Sequence, residues 1–144
     1  MMISHIAIWV SDLEMMRGFY EQHFGAHAGA KYENTRKHYE SYFLSFDSGI
    51  RLELMRKEGV SFSCVNDDPE SANSCGEADR YVAPERIGFS HIAFSSGSEV
   101  AVDRLTAELA ELGVPVLSNP RRTGDGYYES VIADPEGNIV EITV

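Results

Sequence analysis

Cysteine is scarce in this chain of 144 residues, and no long apolar run occurs. The two cysteines, Cys64 and Cys75, lie in a polar segment without partners at metal-ligand spacing. We therefore expect free thiols in a reducing compartment rather than a disulfide. No run approaches the roughly eighteen apolar residues of a membrane span. The first four residues lack the basic and apolar regions of a secretory signal. These features predict a cytoplasmic protein that does not associate with membranes.

Basic residues are also few, with 12 Lys and Arg against 23 Asp and Glu, which gives a formal net charge of −11. Nucleic-acid binding depends on clustered Lys and Arg, so a nucleic-acid partner is not expected. The length fits a single domain with one proper core. The composition is therefore typical of a globular protein.

A short sequence repeat is the strongest internal signal. The segment His5-Ile6-Ala7-Ile8 recurs almost unchanged as His91-Ile92-Ala93-Phe94. Each copy has the composition of a β-strand and is followed by a pattern typical of an amphipathic helix. The first helix is predicted to begin at a capping box, Ser11-x-x-Glu14, and to end at Gly25. The repeat indicates a duplicated module.

Further strands follow in each half. In the first half they are predicted near 26–34, 39–46 and 50–55, with Asp47-Ser48-Gly49 as a hairpin turn. In the second half a strand over 89–95 and a helix from Ser98 are followed by strands over 114–117, 127–133 and 139–144. The predicted fold class is α+β, with two β-α-β-β-β modules over 1–56 and 89–144. The polar stretch 57–88 is predicted to be a linker and a partial lid.

One glutamate occupies the same place on the last strand of each module. Glu53 follows Gly49 by four positions, as Glu141 follows Gly137, and the two glutamates follow His5 and His91 by 48 and 50 positions. On each of the four strands, apolar residues occupy the opposite face: Ile6 and Ile8, Leu52 and Leu54, Ile92 and Phe94, and Val140 and Ile142. If the apolar faces pack on the helices, two imidazoles and two carboxylates share the other side. Such a set suits a divalent metal such as Zn, Ni, Mn, Co or Fe.

These residues resemble the vicinal oxygen chelate superfamily, which includes glyoxalase I, extradiol dioxygenases and bleomycin-resistance proteins. The specific matches are the two His-Ile-Ala strands, the helix with Asp12-Leu13 and Phe19-Tyr20, and the ending from Asp134 to Glu141. The resemblance implies an open, barrel-like cup of mixed β-sheet with helices outside, forming one glyoxalase-like domain over 1–144. It also implies a homodimer.

The resemblance to glyoxalase I implies a metal-ligand set of His5, Glu53, His91 and Glu141. It further implies metal-assisted proton transfer on a small vicinal-oxygen substrate such as a thiol hemithioacetal, with Glu141 as the base and Glu53 as its symmetric counterpart. Trp9 occupies the position at which that enzyme commonly carries an arginine for glutathione, so the resemblance does not identify the thiol.

Four residues are candidates for substrate contact, namely Trp9, Tyr127, Tyr128 and Arg122. Ordinary packing explains the aromatic residues equally well, and solvated charges explain Arg122 and its neighbours. The sequence is also compatible with two other functions. One is an Fe(II) dioxygenase that uses His5, His91 and Glu141; the other is a metal-free drug-binding protein like bleomycin-resistance proteins.

Overall fold

The computed structural model describes residues 3–60 and 88–144. The chain divides into two compact units, Met1–Phe62 and Ser63–Val144. Both cysteines and all but the ends of the predicted linker and lid over 57–88 lie outside the described residues. Over the described residues each unit contains one sheet and one helix, so the predicted α+β class is confirmed. Among the described residues no helix is long and apolar enough to cross a membrane.

The first unit contains six elements in chain order: β1 (His5–Trp9), α1 (Leu13–Phe24), β2 (His27–Ala28), β3 (Tyr32–Asn34), β4 (Tyr39–Ser45) and β5 (Arg51–Lys57). Its sheet has the order β1-β5-β4-β2, with β3 also paired to β4. The strands β1 and β5 are parallel, and the other pairs are antiparallel. The predicted β-α-β-β-β order is therefore present, with its second strand in two pieces.

The predicted strand over 26–34 is interrupted after Ala28. The Gly29 amide still donates to the Phe43 carbonyl at 2.9 Å, but strand pairing resumes only at Tyr32. Between them the Lys31 ammonium lies 3.1 Å from Glu40, and it also contacts a carboxylate of α1. The ion pairs of Lys31 accompany the break, and the sequence pattern does not reveal them.

The start of α1 differs from the predicted capping box. Asp12 is the N-cap, and its carboxylate accepts a hydrogen bond at 3.0 Å from the amide three residues later, so Ser11 precedes the cap. Aspartate and serine are almost equally good N-caps, which makes this choice a matter of tertiary context. Glu14 accepts a hydrogen bond from the Tyr42 hydroxyl at 3.0 Å instead of closing the box. The predicted stop at Gly25 is confirmed, with φ of 64°.

The second unit repeats this plan with β6 (Ile92–Ser95), α2 (Glu99–Glu111), β7 (Val116–Arg122), β8 (Tyr128–Ala133) and β9 (Ile139–Thr143). Its sheet order is β6-β9-β8-β7, and β6 runs parallel to β9. The strand β7 extends well beyond the predicted 114–117 and contains register shifts. The second β-α-β-β-β module is confirmed.

The helical spacing of four apolar residues predicts an apolar stripe on α2, made of Val102, Leu105, Leu109 and Leu112. Val102 and Leu109 are fully buried, but Leu112 caps the helix and is 66% exposed. Thr106 is buried, although it does not belong to the predicted stripe. Its hydroxyl donates to the Val102 carbonyl at 2.7 Å and lies 2.6 Å from the Ser130 hydroxyl of β8. The polar pair lets a threonine occupy a position that the pattern assigns to an apolar residue.

The apolar face of each sheet packs on the helix of its own unit. Leu52 and Leu54 of β5 are buried, as are Val140 and Ile142 of β9. The helix α1 contacts β4 and β5, and α2 contacts β7, β8 and β9. Alternation along each strand directs the intervening residues to the face away from the helix.

Candidate metal centre

His5 and Glu53 meet on the helix-free face of the first sheet. The parallel register pairs Ala7 with Glu53, so His5 lies two positions before that pair on the same face. The imidazole Nε2 is 3.8 Å from a carboxylate oxygen of Glu53. The Glu53 side chain is only 13% exposed, whereas His5 is more open. The predicted pairing of these two residues within one module is present in the structure.

Tyr39 is a third member of this group that sequence reasoning missed. Its hydroxyl donates to Oε1 of Glu53 at 2.9 Å. Burial, and to a smaller degree the hydrogen bond to Glu53, raise the pKa of Tyr39, so the hydroxyl keeps its proton at neutral pH. The Tyr39 ring makes edge-on contacts with Trp9 and Tyr32, at centroid distances of 6.2 and 6.0 Å.

His91 and Glu141 form the equivalent pair in the second unit. Ala93 pairs with Glu141 in the parallel register, so His91 has the same two-residue offset. Here Nε2 and the carboxylate oxygen are 3.2 Å apart. The turn before β9 sets the start of that strand, because the buried Asp134 carboxylate accepts hydrogen bonds from the amides of Glu136 and Asn138 at 3.0 and 2.8 Å.

A serine precedes each histidine and contacts its second ring nitrogen. The Ser4 hydroxyl lies 3.3 Å from Nδ1 of His5, and the Ser90 hydroxyl lies 3.3 Å from Nδ1 of His91. The partner of one ring nitrogen determines which tautomer the ring adopts, and metal-binding histidines have such partners. The direction of this hydrogen bond depends on the tautomer, and in each unit Nε2 is the nitrogen that faces the carboxylate. The sequence repeat includes these serines, because both copies read Ser-His-Ile-Ala, so the repeat could have indicated their role.

The spacing within each pair is suitable for two ligands of one ion. Metal–nitrogen and metal–oxygen bonds of about 2.1 Å place two ligand atoms about 3.0 Å apart at a right angle and about 3.4 Å apart at the tetrahedral angle. The observed 3.2 Å of His91 and Glu141 falls within this range, and the 3.8 Å of His5 and Glu53 is slightly wider. Imidazole with carboxylate is a ligand combination for Zn, Mn, Fe, Co and Ni. Over 3–60 and 88–144, however, no group of three or more His, Cys, Asp or Glu side chains forms a metal cluster.

The structure separates the four candidates for substrate contact. Trp9 lies on the same face as His5 and Glu53 and is 45% exposed. Tyr127 is exposed in the turn before β8, where its carbonyl accepts a hydrogen bond from the Thr123 amide.

Tyr128 and Arg122 lie on the helix-facing side of the second sheet. The Tyr128 hydroxyl donates to Asp103 of α2 at 2.7 Å, and Arg122 forms an ion pair with Glu99 at the start of α2. The strand register places them on the face opposite Glu141, because Tyr128 precedes Glu129 and Glu129 shares the face of Glu141. Both side chains are therefore engaged away from the histidine–glutamate pair of their unit.

A cavity of about 580 Å³ lies in the first unit beyond the ends of β1 and β5. Charged residues of both signs line it, including Glu40, Arg56, Lys57 and Glu58, but neither His5 nor Glu53 contributes. Three of these charges already have partners, since Arg56 contacts Glu40 at 3.7 Å and Glu58 contacts His38 at 3.4 Å. The histidine–glutamate pair is thus a feature of the open sheet face and not of this cavity.

Solved structures of similar fold include several glyoxalases. Glyoxalase I of Zea mays matches with a TM-score of 0.70 and 21% identity over 98% of this chain, which spans 43% of the length of the maize chain. A trypanothione-dependent glyoxalase I of Leishmania major matches with a TM-score of 0.68 and 21% identity, covering 99% of this chain and 86% of that one. A glyoxylase/bleomycin resistance protein/dioxygenase domain from Frankia sp. EAN1pec gives a TM-score of 0.74 at 15% identity, with 100% and 97% coverage.

The sequence comparisons extend over almost the whole chain. The uncharacterized protein YqjT of Bacillus subtilis (strain 168) is 28% identical over 145 residues, which cover 96% of this chain and 94% of that protein. A family model for the Glyoxalase/Bleomycin resistance protein/Dioxygenase superfamily matches residues 2–142. Together with the two β-α-β-β-β units and their repeated histidine–glutamate pairs, this match shows that the chain belongs to the glyoxalase/bleomycin resistance protein/dioxygenase superfamily.

Proposed function

We propose that this protein is a divalent-metal-dependent lyase or isomerase of the glyoxalase type. The proposed metal ligands are His5, Glu53, His91 and Glu141. The observation that carries the proposal is the repetition of one imidazole–carboxylate pair, with the same register offset, on both sheets. The proposed substrate is a small molecule with two vicinal oxygens, such as the hemithioacetal of a thiol.

When bound, the divalent metal supplies Lewis-acid stabilisation of the negative charge that develops on the substrate oxygens during proton transfer. The chain's own contribution is a base that removes a proton from the carbon next to a carbonyl. Glu141 is the better base because, among the described residues, its only recorded partner is His91. Glu53 is less free, since Tyr39 already occupies its Oε1. We therefore assign the proton transfer to Glu141.

Trp9 and Tyr127 are the substrate-contact residues that remain in the proposal. Trp9 presents an exposed indole on the face that carries Glu53, which suits an apolar or planar part of a substrate. Arg122 and Tyr128 are assigned to the packing of α2 because Glu99 and Asp103 hold them there. We further propose a homodimer located in the cytoplasm, which a sedimentation experiment and a fractionation experiment would test.

Metal content is the first test of this function. The protein purified from cells grown with Zn, Ni, Mn, Co and Fe salts is expected to contain stoichiometric divalent metal, measured by elemental analysis. His5→Ala and His91→Ala should each lose the metal and the activity. His27→Ala is the matched control, because His27 is exposed on β2 and lies in neither pair. A metal-free wild-type protein would contradict the proposed function.

Turnover is the second test. The metal-loaded protein is assayed for isomerisation of methylglyoxal adducts with a panel of thiols, and oxygen uptake is recorded in parallel. Glu141→Gln should keep most of the metal but lose turnover, since the amide cannot accept the proton. Oxygen consumption by the Fe(II) form without isomerisation would instead support a dioxygenase.

A further inference from the structure

We infer that Tyr39 is a positioning residue that fixes the Glu53 carboxylate as a metal ligand and so makes the two halves of the duplicated chain unequal. The inference rests on the proposed function, because it concerns the same ligand set. Tyr39 would not touch the substrate or the metal. It would act only through the carboxylate to which it is bonded.

The contacts of Tyr39 are well suited to this role. Its hydroxyl donates to Oε1 of Glu53 at 2.9 Å, so that the other oxygen, Oε2, is the one that lies 3.8 Å from the His5 imidazole. The ring is held in place by edge-on contacts with Trp9 and Tyr32. A ligand whose second oxygen is already bonded has its orientation set in advance, which is how groups around a metal centre tune affinity.

The second unit has no equivalent of this hydrogen bond among its described residues. Phe43 pairs with Glu53 and Val131 pairs with Glu141, and a tyrosine stands four residues before each of them, Tyr39 and Tyr127. Tyr39 begins β4, whereas Tyr127 lies outside β8 and is 59% exposed.

This difference follows from the local backbone. Gly126, with φ of 96°, turns the chain immediately before Tyr127, and the Thr123 amide donates to the Tyr127 carbonyl at 2.9 Å. The turn holds Tyr127 by its main chain and leaves the side chain in solvent. Among the described residues the Glu141 carboxylate therefore has its contact with His91 but no counterpart of the Tyr39 hydrogen bond, whereas Glu53 has both kinds of contact.

The chain supplies its own control for this inference. Tyr39→Phe removes one hydroxyl and keeps the ring between Trp9 and Tyr32, and Tyr127→Phe makes the same change at the counterpart position. Each protein is stripped with a chelator, and its Kd for Co2+ is measured by competition with a metal indicator. Tyr39→Phe should weaken binding by about 10- to 100-fold, the range found for lost partners of metal ligands. Tyr127→Phe should leave Kd unchanged.

Two further readouts separate positioning from a general loss of structure. In a Glu53→Ala background, which has no acceptor for the Tyr39 hydroxyl, Tyr39→Phe should weaken Co2+ binding no further, because the residue acts through that carboxylate. The visible absorption spectrum of the Co2+-loaded protein should change with Tyr39→Phe and not with Tyr127→Phe. Melting temperatures of the metal-free proteins report whether the fold itself is altered.

The outcomes are distinguishable. If the wild-type protein binds Co2+ and Tyr39→Phe binds it equally well with the same spectrum, the positioning role is refuted while the proposed function stands. The same conclusion holds if Tyr39→Phe and Glu53→Ala weaken binding additively. If the wild-type protein binds no divalent metal at all, the proposed function fails and the role of Tyr39 falls with it.

Discussion

The buried hydroxyl pair between α2 and β8 allows a stability prediction that is independent of function. Thr106 is 3% exposed and Ser130 is fully buried, with 2.6 Å between their hydroxyl oxygens. Because Thr106 donates to the Val102 carbonyl, the Ser130 hydroxyl must be the donor within the pair. Thr106→Val therefore removes the acceptor of a buried donor. The unsatisfied group should cost about 1–3 kcal/mol of the free energy of unfolding.

Steric crowding should destabilise Thr106→Val further. The new methyl group of Thr106→Val would stand near the 2.6 Å position of the lost hydroxyl, closer to the Ser130 oxygen than van der Waals contact allows. Ser130→Ala alone should cost less, about 0.5–1.5 kcal/mol, since Thr106 keeps its bond to the helix carbonyl. The double variant removes both the unpaired donor and the crowding, so it should be more stable than Thr106→Val alone.

Urea unfolding of the wild-type protein, both single variants and the double variant measures this cycle. The two sites share one contact, so their effects should not add. The m-value should be the same in all four proteins, because the surface exposed on unfolding hardly changes. If Thr106→Val is as stable as the wild type, or if the two single costs simply add in the double variant, the reasoning from the hydrogen bond is refuted.

Three other predictions use the same unfolding assay. Asp134→Ala should destabilise the protein by about 3 kcal/mol or more, because several donors of the turn before β9 lose their buried acceptor; an unchanged midpoint would contradict it. Gly25→Ala should cost about 1 kcal/mol, because alanine is strained at the φ of 64° that Gly25 adopts. Gly18→Ala should instead stabilise the protein by about 0.5–1 kcal/mol, because Gly18 lies inside α1 and an added Cβ meets nothing within 4 Å. Equal effects of the two substitutions would contradict the argument from backbone conformation. Burial raises the pKa of Glu14, but hydrogen bonds from Tyr42 and a lysine outweigh this effect and hold the pKa below its ordinary value. The ionised carboxylate therefore contributes to the free energy of unfolding above the ordinary pKa. This contribution is lost as the pH falls through the lowered pKa of the folded protein. Tyr42→Phe should therefore destabilise the protein at neutral pH and do so less in acid, and a pH-independent difference would be evidence against this linkage.

The duplicated architecture was accessible from the sequence because it depends on local patterns. Alternation along the strands and helical spacing are properties of neighbouring residues, and so are the glycines that end α1 and turn the hairpin before β5. Strand parity, with the expectation that the apolar faces pack on the helices, likewise predicted that His5 shares a face with Glu53 and that His91 shares a face with Glu141.

Other features depended on contacts between residues far apart in the sequence. The choice of Asp12 over Ser11 as N-cap accompanies the hydrogen bond that Tyr42 donates to Glu14, 28 positions away. The burial of Thr106 depends on Ser130, 24 positions away. No local periodicity encodes these partners, so a pattern can favour a helix or a strand without fixing its exact start or its buried set.

The amino-acid sequence by itself determined the α+β class, the two β-α-β-β-β modules and which side of each sheet carries a histidine and a glutamate. Only the tertiary structure decided which neighbours those glutamates have. Tyr39 reaches Glu53 because β4 pairs with β5 and the ring packs on Trp9, while the Gly126 turn leaves the matching Tyr127 in solvent. Side-chain partners follow from strand pairing and turn geometry, which bring together residues that no spacing rule connects.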